Sequence, residues 1–184
     1  MTRIIAGLAG SIRLKPAAKS TRPTSDRVKE SLFARLEALD AIDNSRVLDL
    51  FAGTGALGLE ALSRGATALT LVEKDRSANQ VCKENIEIFK KSIPAAQIKL
   101  ENQDAIKFLA KNGSEFDLVF IDPPYEFSDL AMKEIFNVLD SALGKDALVV
   151  LERSARSATM EFEGFELLQE HGYGDTKVMI YSLI

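Results

Sequence analysis

Apolar residues fall in two rhythms along this 184-residue chain. From Arg46 onward, short apolar runs alternate with stretches whose apolar positions recur every three or four residues, which predicts alternating strands and helices. The runs are Val47 to Phe51, Leu69 to Glu73, Ile98 to Glu101, Asp117 to Ile121 and Ala147 to Leu151. Helical spacing follows each of the first four. It extends from Leu57 up to Arg64-Gly65, from Asp75 to Lys91, from about Asp104 to Lys111, and through Ala131, Ile135, Phe136, Val138 and Leu139. Repeated βα units build a parallel sheet with helices on both faces. The ending differs, because Phe165 to Gln169 and Val178 to Leu183 flank Gly172-Tyr173-Gly174-Asp175, the pattern of an antiparallel hairpin. The expected fold is α/β, a doubly wound Rossmann-like seven-stranded sheet of five parallel strands plus a terminal antiparallel hairpin.

Ahead of Arg46 the rhythm is different. Ile4, Ile5, Leu8, Ile12 and Leu14 with turns at Gly7 and Gly10 predict a short hairpin, and Pro16 to Thr24 reads as a loop. Thr24 or Ser25 can cap a helix that carries Asp26 in its first turn and Val28, Leu32, Leu36 and Leu39 along one face, ending near Asp40. Two regions are therefore expected: an N-terminal extension, residues 1–45, packed on a main domain, residues 46–184.

Composition changes the picture mainly through charge. Apolar residues at 46% and charged residues at 27% are ordinary for a globular protein. No apolar run approaches the length of a membrane span. The single cysteine, Cys82, excludes an internal disulfide and a cysteine-based zinc cluster. Its spacing with Ala78, Val81, Ile86 and Phe89 predicts a buried helix face. A reduced, cytoplasmic protein without a metal is expected. The net charge of −4 conceals an asymmetry: residues 1–38 hold eight basic and three acidic residues, which leaves −9 on the remainder. A basic arm on an acidic body points to a polyanion held by the arm and a different ligand held by the body.

Candidate chemistry begins at Asp49-Leu50-Phe51-Ala52-Gly53-Thr54-Gly55-Ala56-Leu57-Gly58. A strand, a glycine turn and a helix in this order form the nucleotide-cofactor corner of a doubly wound sheet. The spacing alone fits several cofactors. Asp49, Glu73, Asp104 and Asp122 occupy or follow successive strand ends, where ligands bind in open α/β sheets. A pyrophosphate would meet that ring as like charge, at about 1–4 kcal/mol per close pair at ~4 Å. S-adenosylmethionine, with sulfonium and ammonium groups, would be attracted. Glu73 is placed to accept from ribose hydroxyls, Asp104 from an adenine amino group, and the Ala105 amide can donate to the ring.

Asp122-Pro123-Pro124-Tyr125 follows the fourth strand. Two prolines stiffen the backbone and remove N–H donors while leaving carbonyls as acceptors. An exocyclic amine on a nucleobase is a poor nucleophile because its lone pair is delocalised. Accepting its two hydrogens at the Asp122 carboxylate and the Pro123 carbonyl favours a pyramidal nitrogen aimed at the methyl donor. Tyr125 can stack on the base.

Arg3-Ile4-Ile5-Ala6-Gly7, Thr21 to Glu30, Asp49 to Gly55, Glu60 to Ala66 and Asp122 to Tyr125 together resemble the bacterial RsmD-type methyltransferases, nearly from end to end and most strongly over 21–125. The resemblance implies a class I methyltransferase fold over residues 46–184. It also implies methyl transfer from S-adenosylmethionine to the exocyclic N2 of a guanine in small-subunit (16S) ribosomal RNA. It implies a cofactor site at Gly53, Gly55, Glu73 and Asp104, where Asp49, Phe51 and Ala105 are further candidates, and a target-base site at Asp122, Pro123 and Tyr125. Arg3, Arg13, Arg22, Thr24 and Pro124 are expected to face the RNA, with the small ribosomal subunit as partner and a monomer as the acting species. Ser11-Ile12-Arg13-Leu14 departs from the more glycine- and arginine-rich run common in that family. Three rival readings remain open on the residues alone: an N6-adenine or N4-cytosine DNA methyltransferase, a nicotinamide-dependent oxidoreductase, and a non-catalytic RNA-binding module. His171, beside the terminal hairpin turn, is expected to be structural.

Overall fold

The computed structural model describes residues 2–16, 26–111, 113, 115–124 and 126–184. Two short strands, β1 (Thr2–Arg3) and β2 (Arg13–Leu14), pair antiparallel, with Thr2 opposite Leu14 and Arg3 opposite Arg13. Helix α1 (Asp26–Ala38) follows. The expected Thr24 or Ser25 cap lies outside the described residues.

The main sheet then unfolds as β3 (Arg46–Asp49), α2 (Ala56–Ser63), β4 (Ala68–Val72), α3 (Arg76–Lys90), β5 (Gln97–Glu101), α4 (Ala105–Leu109), β6 (Phe116–Ile121), α5 (Asp129–Leu139), β7 (Leu143–Ser154), β8 (Phe165–Tyr173) and β9 (Thr176–Leu183). Its strand order is β5-β4-β3-β6-β7-β9-β8. The first five are mutually parallel, and β9 runs antiparallel to both β7 and β8. The fold is the one the alternation of patterns predicts. Strand β3 lies between β4 and β6, so the chain winds outward from it in opposite directions. That reversal opens a crevice at the carboxyl ends of the central strands.

Apolar side chains fill both faces. On one, Leu32, Phe33 and Leu36 of α1 join Leu59 and Leu62 of α2 and Cys82 and Phe89 of α3 against Val47, Leu69, Leu118, Phe120 and Ile180. On the other, α4 and α5 pack over Leu48, Val119, Ile121 and Val149. Helix α1 thus contributes to the same core as the sheet. Its inward face is Lys29, Leu32, Phe33 and Leu36; Val28 and Leu39 are only half-buried. The shift by one position follows from a partner for Lys29 that the helical pattern does not reveal. Strand β7 is also longer than its apolar run, because pairing with β9 continues through Ser154 opposite Thr176.

A buried carboxylate fastens the N-terminal segment to this body. Glu60, fully buried in α2, accepts from the amides of Ile5 at 2.7 Å and Ala6 at 3.1 Å. It also meets Lys29 Nζ at 3.3 Å and Arg64 Nε at 2.8 Å. Lys29 donates as well to the Arg3 carbonyl. Burial pushes the Lys29 ammonium below its ordinary value, and the Glu60 charge pulls it back up. Arg64 reaches on to Glu37 at 2.8 Å and lies 5.0 Å from the Phe33 ring centroid. One helical turn later, Ser63 accepts from Ala9 N at 2.9 Å and donates to the Ala6 carbonyl at 2.5 Å. Gly7, at φ +81°, passes so close that a Cβ there would stand 1.8 Å from the Ser63 carbonyl oxygen.

Removing one member of a buried ion cluster strands the others, at a cost of about 3–5 kcal/mol. Glu60→Gln is expected to lower unfolding stability by about that amount, read as a fall in the urea midpoint. A midpoint unchanged from the parent protein would show that the cluster does not hold the segment.

Candidate active site

The crevice is built from the ends of β3, β4, β5 and β6. Beyond Asp49 the chain stays between its neighbours, with Leu50 N donating to Phe120 O and Ala52 N to Val72 O, both at 3.0 Å. It then turns through Gly53 at φ +54° and Gly55 at φ +78° into α2. A Cβ on Gly53 would find nothing nearer than the Phe51 carbonyl oxygen at 3.9 Å, so this side of the turn is open to a ligand. At Gly55 the floor is closed, with Cys82 Sγ 3.0 Å from where a Cβ would stand.

Four carboxylates stand at successive strand ends. Asp49 closes β3 and is 2% exposed. Burial pushes its carboxyl up to about 7, and the charges of Asp122 and Glu73 add to the rise against the pull of the Gly58 and Phe51 amides. Among the described residues, Asp49 Oδ1 has no hydrogen-bond partner. Asp122 directly follows β6, the strand beside β3, and burial pushes it up to about 6. Glu73 follows β4 and buttresses the turn: its Oε2 accepts from Gly53 N at 2.8 Å and its Oε1 from Asp75 N at 2.7 Å. Each oxygen keeps a second lone pair for a ligand hydroxyl. Asp104 caps α4, accepting from Ile106 N at 3.1 Å and Lys107 N at 3.5 Å, while its other oxygen faces Lys74 Nζ at 3.7 Å. Ala105 is the buried first residue of that helix.

A buried acid with an unmatched oxygen is costly unless something positive or protic meets it. The donor set therefore suits S-adenosylmethionine: a cation for Asp49, hydroxyls for Glu73, an open backbone at Gly53 and an acceptor at Asp104. It suits a pyrophosphate poorly.

Asp122-Pro123-Pro124 leaves β6 beside this pocket. Pro123 is buried and Pro124 exposed. The Pro124 carbonyl accepts from Phe127 N at 2.9 Å, which closes a tight turn. Phe127 in turn packs edge-on against Phe51, with centroids 5.1 Å apart and planes at 75°. The aromatic pair ties the proline turn to the loop before the glycine turn. Phe127 escapes the sequence reading because it lies outside any motif or periodic segment. Tyr125, Arg22 and Thr24 lie outside the described residues.

Of the residues expected to face RNA, Arg13 is exposed and Arg3 is exposed but paired with Asp26 at 2.9 Å. Lys74 is exposed beside Asp104, and Asp75 caps α3 by accepting from Ala78 N at 2.8 Å. His171 is part of β8, with Nε2 3.1 Å from Gln169 Oε1. An open depression of about 420 Å³, lined by Asp40, Asp43, Arg46, Asp117 and Lys145, lies at the amino-terminal ends of β3 and β6, opposite the crevice.

Known proteins share this chain's sequence and its shape. The family model described as "Conserved hypothetical protein 95" matches residues 2–182. Ribosomal RNA small subunit methyltransferase D of Escherichia coli is 39% identical over 82% of this chain and 73% of its own. The protein of the same name from Haemophilus influenzae is 37% identical over 98% of this chain and 93% of its own. The solved structure of Escherichia coli yhhF superposes with a TM-score of 0.84 at 35% identity, covering 98% of this chain and 97% of that one. With the acid-lined glycine turn and the Asp-Pro-Pro turn beside it, this chain belongs to that family, the ribosomal RNA small subunit methyltransferases D.

Proposed function

We propose that the protein transfers a methyl group from S-adenosylmethionine to the exocyclic N2 amino group of a guanine in small-subunit ribosomal RNA. The observation that carries this reading is the placement of Asp122-Pro123-Pro124 at the end of β6, next to Asp49 at the end of β3. An amine acceptor site and a cation-attracting pocket thereby share one crevice.

S-adenosylmethionine supplies an electrophilic methyl group on a positively charged sulfur. The chain's own residues bind and orient. Asp49 and Asp122 draw the cationic end into the crevice, Glu73 receives the ribose hydroxyls, and Asp104 with the Ala105 amide holds the adenine edge. The Asp122 carboxylate and the Pro123 carbonyl accept the two hydrogens of the guanine amine, turning its lone pair toward the methyl group. Tyr125 stacks on the base and fixes its plane. Fixed distance and alignment supply much of the rate in a displacement of this kind. An Asp122 pushed up to about 6 is ionised at neutral pH yet more basic than an ordinary carboxylate. It is suited to take the proton that the methylated nitrogen sheds. The base leaves its stack to reach the crevice, and the basic N-terminal residues hold the surrounding phosphates. Small ribosomal subunits in the cytoplasm are the natural substrate for such a site.

Three outcomes are expected. Asp122→Asn removes the charge and should lower kcat on small-subunit RNA by about 10²–10⁴-fold while leaving RNA affinity within about threefold. Undiminished methyl transfer to the RNA, or transfer to duplex DNA alone, would overturn the reading.

The second concerns pH. Asp49 is pushed from 3.8 to about 7, so it keeps its proton in the folded protein where the unfolded chain has lost it. Its contribution to stability is present at low pH and is lost as pH rises through about 7. Cofactor affinity should run the other way, tightening from pH 5.5 to 8 as Asp122 and Asp49 ionise, with protons released on binding. Titration calorimetry in buffers of different ionisation enthalpy reads both effects. Affinity that weakens with rising pH would show that the acids do not meet a cation.

Third, Arg13→Ala should weaken RNA binding and lower the slope of log affinity against log salt by roughly one, with cofactor affinity unchanged. An unaltered slope would remove Arg13 from the phosphate contacts.

A further inference from the structure

Asn85 is a polar residue inside the apolar face of α3, and it is fully buried. Its amide group is satisfied from two directions. On one side, Oδ1 accepts from Lys15 N at 2.7 Å and Nδ2 donates to the Lys15 carbonyl at 3.1 Å, the paired contacts that a neighbouring strand would offer. On the other, Nδ2 donates to the Thr54 carbonyl at 2.9 Å, in the middle of the glycine turn. The orientation is fixed, since only the oxygen can receive the Lys15 amide. Lys15 is the residue by which the chain leaves β2, and Lys19 and Arg22 follow it in the sequence. Its side chain adds an exposed pair with Glu84 at 2.8 Å, a contact of little energetic weight. The main-chain clamp is therefore the strong link, and it joins two pieces of different duty. The glycine turn belongs to the cofactor crevice. The strand that Lys15 follows belongs to the basic N-terminal segment, with Arg13 exposed two residues earlier.

We propose that Asn85 is a positioning residue that registers the RNA-binding N-terminal segment on the cofactor-binding glycine turn. The inference rests on the methyl-transfer reading above. The clamp accounts for a buried amide at a position where the helix otherwise presents Cys82 and Phe89, because an apolar residue there would leave three main-chain groups unmatched. It also sets one distance on which transfer depends, the separation between the segment that holds the RNA backbone and the turn that holds the donor. Asn85 touches neither substrate nor cofactor and acts through Lys15 and Thr54.

Asn85→Ala tests this in the full chain, well below its melting temperature. We expect the KM for small ribosomal subunits to rise about tenfold, kcat to fall less than threefold, and the dissociation constant for S-adenosylmethionine to rise threefold or more. A cycle with Arg13→Ala isolates the route. In the Asn85→Ala background, removing Arg13 should raise KM by less than half the factor it produces in the parent protein. If KM and the cofactor dissociation constant both stay within twofold while only the melting temperature falls, Asn85 is a stability element and the proposal fails. Full multiplicativity of the two substitutions would also overturn it. Should Asn85→Ala not fold, Lys15→Pro, read against Lys15→Ala to discount the lost side chain and its Glu84 pair, deletes the amide that Oδ1 receives. It should raise KM for the subunits and spare cofactor affinity; an unchanged KM sinks the proposal. Failure of the underlying reading looks different, because the parent protein would then methylate no small-subunit RNA. The effect of Asn85→Ala on cofactor affinity would still decide the glycine-turn half of the proposal.

Discussion

Glu60 is the buried carboxylate on which the seating of residues 3–9 and of α1 against α2 depends. Four donors converge on it: two amides from the N-terminal segment, the ammonium of Lys29 in α1 and the guanidinium of Arg64 at the end of α2. A charge at 0% exposure is tolerable only when its lone pairs are met in this way. The consequence is spatial. The chain from Arg3 to Ala9 must follow the surface of α2, α1 must lie against the same helix, and the exit of β2 is fixed over α3. Gly7 is where this path runs closest to the body.

Asp49 presents the opposite case. It is almost as enclosed, yet its Oδ1 has no partner among the described residues, and Asp122 and Glu73 add like charge to a carboxyl already raised by burial. Glu60 is met within the protein, whereas Asp49 Oδ1 is left unmatched among the described residues. On the proposed reading, stability forfeited at Asp49 is recovered when the cationic cofactor binds, which couples its affinity to proton release. The neighbouring Asp122, raised for the same reason, lies at the edge of that field and next to the proline turn. Both halves of the proposed reaction thus draw on one electrostatic feature, a cluster of acids at the ends of parallel strands.

Between the two stands Asn85, which ties the exit of β2 to the glycine turn. The Phe51–Phe127 contact makes a similar tie from the glycine-turn side to the Asp-Pro-Pro turn. On the proposed reading neither tie needs to touch a substrate to matter, because each fixes the separation of groups proposed to do so.

Sequence alone determined the fold class, the strand and helix order, and the acids at strand ends. These follow from hydrophobic periodicity and from chain order, both local properties that any parallel βα succession expresses. The Asp122 turn was legible for the same reason: its chemistry lies in four consecutive residues. What the sequence did not reveal were Lys29 and Phe33 on the inner face of α1, and the duties of Glu60, Asn85 and Phe127. Nothing in the local pattern marks Lys29, Glu60 or Asn85 for burial. Whether such polar groups are buried depends on which distant segment packs over them. Only the tertiary structure, by bringing residues 3–15 against α2 and α3, decided that these groups hold the protein together while Asp49 is left unmatched.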